Sequence, residues 1–245
     1  NTLAQQGVGA FYTGPIAQAI VDKIQIAQSA KDGSPITPGK TTLADMAAYR
    51  AKAREAVCID YRNYKVCGMP PPSSGGIAVA QALGILENFD LAAYKPSAVD
   101  IYGGKPSVMG VHLVSEALRL AYADRNKYVA DADFVPLPGK GVATMLDKSY
   151  LQGRAALIST SKSMGTAQAG NLGPVPMGVD STPESGTTHF TIVDKQSNAV
   201  SMTTTVESSL GSFHMARGFI LNNQLTDFSD VPADADGNPI ANRVA

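Results

Sequence analysis

Gly186-Thr187-Thr188-His189-Phe190-Thr191-Ile192-Val193 is the most informative stretch of the chain, because an abrupt β pattern begins there after a long irregular run. The preceding residues 158–186 are rich in Ser, Thr, Gly, Pro and Ala and have neither helix nor strand periodicity. Apolar residues then alternate at Phe190 and Ile192, and again at Val200 and Met202 after a turn at residues 194–198. The pattern predicts a β-hairpin with a longer loop, whose first strand starts at a threonine.

Thr187 would gain a chemical role if the chain were cut directly before it. A threonine hydroxyl is a weak nucleophile at neutral pH, and the α-amino group of an N-terminal threonine can activate it. That amine has an ordinary pKa of roughly 7.7 to 8, so part of it is unprotonated at neutral pH and can accept the hydroxyl proton. On β propensity alone, the interpretation of Thr187 and Thr188 as ordinary strand residues is favoured.

The wider sequence changes that balance. Residues 187–194, 203–212 and 218–229 form three blocks that resemble, in order, the start of the small subunit of γ-glutamyltranspeptidases. Upstream, four blocks resemble the large subunit of the same family: residues 11–17, 45–49, 69–76 (Met-Pro-Pro-Pro-Ser-Ser-Gly-Gly) and 121–125 (Ala-Tyr-Ala-Asp-Arg). The resemblance therefore covers nearly the whole chain.

The resemblance implies an α/β (α+β) fold of the N-terminal-nucleophile hydrolase type, an αββα sandwich of which this chain carries part. It implies three regions: residues 1–157 from the second half of the large subunit, residues 158–186 as a mobile linker, and residues 187–245 from the start of the small subunit. Autocatalytic cleavage between Gly186 and Thr187 would give a heterodimer of large and small subunits. Because the first residue is Asn1 rather than Met, we expect the chain to be a piece of a longer precursor.

The same resemblance implies hydrolysis or transfer of a γ-glutamyl group, from glutathione or a related γ-glutamyl amide to water or an acceptor amine, through an ester on Thr187. Thr205 matches the threonine whose hydroxyl steadies the nucleophile. Gln224 and Asp227 match residues that accept hydrogen bonds from the substrate α-ammonium group. Glu207 stands at a substrate-binding position where the family usually has asparagine, and a carboxylate accepts hydrogen bonds but cannot donate them.

This chemistry requires neither a metal nor an organic cofactor, and the three histidines lack metal-ligand spacing. The resemblance places the carboxylate-binding arginine and the pocket-lining Ser-Ser and Gly-Gly pairs outside this chain, so we expect the chain by itself to be inactive. Two alternatives remain open. One is an amidohydrolase that cleaves another amide, such as a cephalosporin side chain or poly-γ-glutamate, and the other is a non-catalytic fragment that keeps the scaffold.

A second predicted hairpin gives the two cysteines a geometric meaning. Alternating residues on both sides of Arg62-Asn63 predict two strands joined by a two-residue turn. That turn puts Cys58 directly opposite Cys67 at a non-hydrogen-bonded pair, which permits a cross-strand disulfide; two buried thiols are the alternative. Since the family is commonly exported, the resemblance implies a periplasmic or secreted bacterial protein, a setting in which disulfides persist.

The spacing of apolar residues predicts helices over residues 10–30, 43–49, 77–89, 107–127 and 144–158, the second of them capped by Thr42. The Pro-Pro-Pro-Ser-Ser-Gly-Gly run is interpreted as a rigid turn rather than an anion site, since no phosphate-loop spacing follows it. A formal net charge of −1 with interspersed signs argues against a nucleic-acid partner. No apolar run approaches the roughly 18 residues of a membrane span.

Overall fold

The computed structural model describes residues 1–174, 186–224 and 233–238. The chain divides into two compact units, one made of Asn1–Ala53 with Pro183–Leu225 and the other of Arg54–Thr182 with Thr226–Ala245. Each unit combines two separate stretches of chain. The regions predicted from the sequence, residues 1–157, 158–186 and 187–245, are defined by the cleavage position and not by contacts. They stay a prediction.

The described residues contain both helices and two-stranded antiparallel sheets, as expected for an α+β fold. The α-helices are α1 (Thr2–Gln6), α2 (Gly9–Tyr12), α3 (Gly14–Ile24), α4 (Leu43–Ala48), α5 (Gly75–Leu86), α6 (Val108–Tyr128), α7 (Val142–Met145) and α8 (Lys148–Ala155). The strands are β1 (Val57–Tyr61), β2 (Tyr64–Gly68), β3 (Thr188–Val193), β4 (Ala199–Thr204), β5 (Met215–Ala216) and β6 (Phe219–Ile220). Each strand pairs with its neighbour in sequence.

Local side-chain chemistry sets several helix boundaries. The predicted helix after Thr42 is confirmed as α4, where Thr42 and Asp45 form a reciprocal capping box: the Thr42 hydroxyl accepts from the Asp45 amide at 3.2 Å and the Asp45 carboxylate accepts from the Thr42 amide at 2.8 Å. The prediction of one helix over residues 144–158 is wrong. Asp147 accepts a hydrogen bond from the Tyr150 amide at 3.0 Å, which starts α8 as a new helix after α7.

The predicted helix over residues 10–30 is also interrupted and shorter. Thr13 is extended between α2 and α3, and α3 begins at Gly14, whose φ of 69° lies in the left-handed region, with Pro15 in the first turn. The helix ends at Ile24. The buried face of α3 consists of Ala17, Ile20 and Val21, which lie in the first unit.

The β1–β2 hairpin has the predicted register. Tyr61 pairs with Tyr64 around the turn, so Cys58 faces Cys67, and the two sulfur atoms are bonded. Alternation sends Val57 and Ile59 to the buried face of the hairpin and into the core of the second unit.

The second unit is built around α5 and α6. Residues from both helices, from β1 and from the segment after α6 form one buried cluster, which includes Ile77, Ile85, Leu113, Leu120, Tyr128, Met145 and Leu151. The hairpin and α5 approach closely, because a Cβ on Gly68 would lie 2.8 Å from the Cα of Gly76, and a Cβ on Gly76 would overlap the carbonyl of Met69. These contacts support the interpretation of the Pro- and Gly-rich run as a tight turn.

Residues 159–172, called the strap below, lie along α6 in the same direction as the helix. The sequence predicts one mobile linker over residues 158–186, and its mobility stays a prediction; in the structure the residues of the strap make defined contacts with α6. Side chains of α6 bind the strap backbone along its length, and Met164, Ala167, Ala169 and Leu172 pack against the buried cluster. The partners lie on a distant helix, so the local sequence pattern gave no sign of them.

Candidate active site

The β3–β4 hairpin carries the predicted nucleophile at one end. The predicted hairpin is present: Phe190 pairs with Met202 and Ile192 with Val200, and the last pair of the ladder is Thr188 with Thr204. Extending this register by one position sets Thr187 opposite Thr205. Thr187 is exposed and precedes the strand directly, so its hydroxyl and its peptide bond to Gly186 are accessible.

Two hydrogen bonds connect Gly186, Thr205 and Glu207. The Thr205 hydroxyl donates to the carbonyl oxygen of Gly186 at 3.3 Å, and it accepts from the backbone N–H of Glu207 at 2.8 Å. A hydroxyl has one proton and two lone pairs, so the bond from Glu207 helps to direct the proton of Thr205 towards Gly186. A donor in this position polarises the carbonyl of the Gly186-Thr187 peptide bond.

Glu207 has a backbone conformation that is uncommon for its residue type. Its φ of 68° lies in the left-handed region, which asparagine enters more readily than glutamate. The side chain is half-buried. The conformation therefore suits the asparagine that the resemblance leads us to expect at this position.

Asn223 ties the segment after β4 to the segment after β6. Its side-chain oxygen accepts from both the backbone N–H and the hydroxyl of Ser208, each at 3.1 Å, and its backbone N–H donates to the Val206 carbonyl at 3.4 Å. Gln224 follows directly, and its backbone N–H donates to the side-chain oxygen of Asn222 at 2.9 Å. The hairpin end and the start of the predicted substrate-binding loop are thus brought together.

The sequence alone did not single out Asn223 or Ser208. Asn222-Asn223 looked like an ordinary polar loop after a strand, and the available signal was that a side-chain amide beside a loop can bridge two backbone segments. Asp227 lies outside the described residues. Cys58 and Cys67 belong to the second unit, as part of the β1–β2 hairpin.

His189 lies on the polar face of the hairpin. Its Nδ1 is 2.8 Å from the Thr203 hydroxyl and its Nε2 is 3.1 Å from the Ser201 hydroxyl. Both ring nitrogens are therefore engaged with β4, and the ring links the two strands.

The turn between the strands is organised by Asp194. Two hydrogen bonds from Asn198 lower the pKa of this carboxyl below its ordinary value; the bond from the side chain has the larger effect and the bond from the backbone N–H the smaller one. Within residues 1–174, 186–224 and 233–238, no group of three or more His, Cys, Asp or Glu side chains is arranged to hold a metal ion. Within the same residues, no helix combines the length and the apolar character needed to cross a membrane.

The chain is similar to known proteins over most of its length. A sequence model of the family described as gamma-glutamyltranspeptidase matches residues 1–245. The chain is 37% identical over 234 residues to a glutathione hydrolase proenzyme of Escherichia coli (strain K12), an alignment that covers 94% of this chain and 35% of the relative. The chain thus spans about a third of the length of the curated relatives it matches.

Solved structures give the same result for the fold. The crystal structure of Helicobacter pylori gamma-glutamyltranspeptidase matches with a TM-score of 0.56 and 34% identity, over 69% of this chain and 42% of that one. A cephalosporin acylase from Bacillus halodurans matches with a TM-score of 0.68 and 24% identity, over 99% of this chain and 39% of that one. Both comparisons support the N-terminal-nucleophile hydrolase fold.

Proposed function

The chain belongs to the gamma-glutamyltranspeptidase family, and on that premise we propose that Thr187 is the nucleophile of an autocatalytically cleaved γ-glutamyl hydrolase or transferase. The observation that carries the proposal is the hydrogen bond from the Thr205 hydroxyl to the Gly186 carbonyl. A donor on the carbonyl of the bond to be broken stabilises the negative charge that develops there when a nucleophile attacks.

Cleavage proceeds by an amide-to-ester exchange. The Thr187 oxygen bonds to the Gly186 carbonyl carbon, the carbon–nitrogen bond breaks, and the hydroxyl proton ends on the released amine. Water then hydrolyses the ester, which leaves a carboxylate on Gly186 and a free α-amino group on Thr187. That amine is the base that the hydroxyl lacked before cleavage.

In the mature enzyme Thr187 attacks the γ-carbonyl of a γ-glutamyl amide, such as glutathione. The α-amine takes the hydroxyl proton and passes it to the leaving amine, and the γ-glutamyl ester is then released to water or to an acceptor amine. Thr205 steadies the nucleophile from the opposite strand. Gln224 and Asp227 accept hydrogen bonds from the substrate α-ammonium group, which suits a carbonyl oxygen and a carboxylate.

Glu207 makes the substrate preference of this chain different from that of relatives with asparagine. A carboxylate repels the α-carboxylate of a γ-glutamyl group unless a cation or water lies between them. We expect Glu207→Asn in an active precursor to lower KM for a γ-glutamyl anilide. An unchanged KM would separate Glu207 from substrate binding.

The decisive experiment compares three forms of a longer precursor that contains this chain: the unchanged form, Thr187→Ala, and Thr188→Ala as the matched control. Only Thr187→Ala should abolish the cut, as judged by denaturing gel, intact mass and the amino-terminal sequence of the second fragment. Two fragments from Thr187→Ala would contradict the assignment of the nucleophile.

Activity is measured on the cleaved forms with a chromogenic γ-glutamyl anilide. Turnover that depends on Thr187 supports γ-glutamyl chemistry, whereas a cut protein with no γ-glutamyl turnover points to another amide. We expect the 245-residue chain alone to stay uncut and inactive, because the resemblance places the pocket-lining Ser-Ser and Gly-Gly pairs and the carboxylate-binding arginine outside it. Losing even a single oxyanion donor costs about 10² to 10³ in rate. Two chains that meet at Gly186 and Thr187 would refute that expectation.

The location of the protein follows from the same proposal. A periplasmic or secreted protein would keep the bond between Cys58 and Cys67, because exported compartments are oxidising. Mass spectrometry of the native protein without reductant should find no alkylatable thiol. Two alkylatable thiols would weaken the proposal of export.

A further inference from the structure

One face of the β3–β4 hairpin carries the proposed nucleophile and a histidine next to each other. Side chains alternate along a strand, so Thr187 and His189 lie on the same face. Their partners across the hairpin, Thr205 and Thr203, share that face. The histidine is therefore the next side chain to the nucleophile on its own strand and on its own face.

The residue pairs on this face are those in which cross-strand side chains come closest. At the turn, the Asp194 N–H donates to the Asn198 carbonyl at 3.0 Å, so these two residues occupy a hydrogen-bonded position of the ladder. Bonded and non-bonded positions alternate in an antiparallel pair, which makes His189 and Thr203 a non-hydrogen-bonded pair. The Cα atoms of such pairs are only about 4.5 Å apart, and this brings the imidazole within reach of β4.

The imidazole uses this approach for two hydrogen bonds. Its Nδ1 is 2.8 Å from the Thr203 hydroxyl, and its Nε2 is 3.1 Å from the Ser201 hydroxyl. A neutral imidazole donates from one nitrogen and accepts at the other, so both bonds can form together. His189, Thr203 and Ser201, called the clasp below, thus join the two strands one position from the last pair of the ladder.

The end of the hairpin depends on such a link. The last pair is Thr188 with Thr204, so Thr187 lies beyond the ladder, where strand ends fray. The bond from the Thr205 hydroxyl to the Gly186 carbonyl is 3.3 Å long, which exceeds the roughly 2.5 to 3.0 Å of most O–H···O bonds. It therefore does little by itself to hold the two strand ends together. After a cut, Gly186 belongs to the other fragment, and this bond no longer joins β4 to the chain that begins at Thr187.

We propose that His189 is a positioning residue, which holds Thr187 opposite Thr205 through its bond to Thr203. This inference rests on the proposed function. A displacement of about 1 Å at a reacting group can lower a rate on the order of 10²-fold, because the reacting atoms no longer meet at the required distance. The clasp fixes the nucleophile and not the segments after β4 and β6 that are proposed to bind substrate. We therefore expect it to set kcat and to leave KM nearly unchanged.

The first test measures the hairpin end in the 245-residue chain by amide hydrogen exchange. His189 is exposed, so its truncation leaves no buried cavity. His189→Ala should speed exchange of the Thr188 and Thr204 amides about fivefold, the effect of losing a typical hydrogen bond, and should leave the Val200 amide near the turn unchanged. Thr203→Val should do the same from the other strand.

Thr191→Val is the matched control for Thr203→Val, because it is the same substitution on the same face, two positions further from Thr187 than His189 is. It should leave the exchange of both amides at the hairpin end unchanged. If these amides exchange in the unchanged chain at the rate of an unfolded peptide, or if they ignore the variants of His189 and Thr203, the clasp does not hold the strands and the inference is wrong.

The second test measures turnover of a γ-glutamyl anilide by the cleaved form of a longer precursor. His189→Ala should lower kcat on the order of 10²-fold with KM nearly unchanged. His189→Asn keeps a hydrogen-bonding atom at the position of Nδ1 and should restore most of kcat, whereas His189→Gln reaches only the position of Nε2 and should restore little. Because asparagine does not carry a proton at neutral pH, rescue by His189→Asn also separates positioning from proton transfer by the histidine.

The outcomes distinguish this inference from the proposed function. If Thr187→Ala abolishes the cut but His189→Ala turns over at the unchanged kcat, the positioning role is refuted and the proposed function stands. A loss of kcat that His189→Asn does not restore, or a rise in KM at constant kcat, would refute the positioning role as well. If the unchanged precursor is never cut before Thr187, the proposed function fails and the positioning role fails with it.

Discussion

Removal of the Asp124 carboxylate should lower the free energy of unfolding of the second unit more than removal of its partner, the Arg154 guanidinium. Asp124 Oδ1 lies 3.0 Å from Arg154 Nη2 in an ion pair whose side chains are 0% and 6% exposed, respectively. The carboxylate also accepts from the Tyr150 hydroxyl at 2.6 Å, the Gly170 amide at 2.8 Å and the Gln81 side chain at 3.3 Å. Burial, and then the bond to Asp124, raise the pKa of Tyr150 above its ordinary value, so its hydroxyl remains a donor.

The magnitude follows from what each substitution leaves behind. Asp124→Ala leaves a buried guanidinium without its carboxylate and three other donors without their acceptor, and breaking a buried pair in this way costs about 3 to 5 kcal/mol. Arg154→Met leaves a carboxylate that still has three donors, so we expect a loss of about 2 kcal/mol. The double variant should lose less than the sum, with a coupling of about 1 to 3 kcal/mol.

The assay has to report on the second unit alone, because a chain with two units need not unfold in one step. Hydrogen exchange of peptides from α6 at increasing urea concentrations gives a free energy of unfolding for that unit. A loss below about 1 kcal/mol for Asp124→Ala would refute the reasoning, given the range of 3 to 5 kcal/mol expected for a broken buried pair. So would a larger loss for Arg154→Met than for Asp124→Ala.

Three further predictions concern the cleavage site, the strap and the turn before α5. Thr205→Val in a longer precursor should slow cleavage on the order of 10²-fold, and Thr205→Ser should restore it; cleavage of the valine variant at the unchanged rate, followed by gel, would remove the oxyanion role. Burial raises the pKa of Glu116, but its hydrogen bonds, that from the Met164 amide first, lower it more, so the net pKa lies below the ordinary value. The stability that Glu116 contributes is thus present above about pH 4.3 and is lost as the pH falls through its folded pKa. Protection of the Met164 amide against hydrogen exchange should therefore fall in acid. The same fall in a Glu116→Gln chain would contradict this explanation. Gly76→Ala should lower the free energy of unfolding by about 1 to 3 kcal/mol through overlap with backbone, whereas Gly75→Ala, whose Cβ meets only a serine hydroxyl at 3.9 Å, should change it little; equal thermal shifts would contradict the steric explanation.

Elements governed by neighbouring residues were predictable from the sequence. The Thr42 cap, the β1–β2 register and the presence of the β3–β4 hairpin depend on residues close together in the chain, and the structure confirms them. The break before α8 was missed because the Asp147 side chain competes with helix continuation, which apolar spacing does not reveal. An aspartate inside an apolar helical pattern was the available signal.

The candidate site was predictable in part, and for a different reason. Family blocks located Thr187 and Thr205, and the β3–β4 register brings the second threonine opposite the first. The binding of the strap was not predictable, because its partners lie far away in sequence and the strap has no periodicity. Glu116 and Asp124 gave a weak signal, since they are charged residues on the face of α6 that also carries Leu113 and Leu120.

The bonds between α6 and the strap also bear on the order in which the second unit folds. Each joins residues that are 42 to 48 positions apart in the chain. Contacts of such separation carry a large closure entropy, and they become favourable only after the helix has presented its polar face as one surface. We therefore expect the strap to dock late, onto a finished helix, and the chain that leads to Thr187 to be fixed at that point only once the rest of the unit has folded.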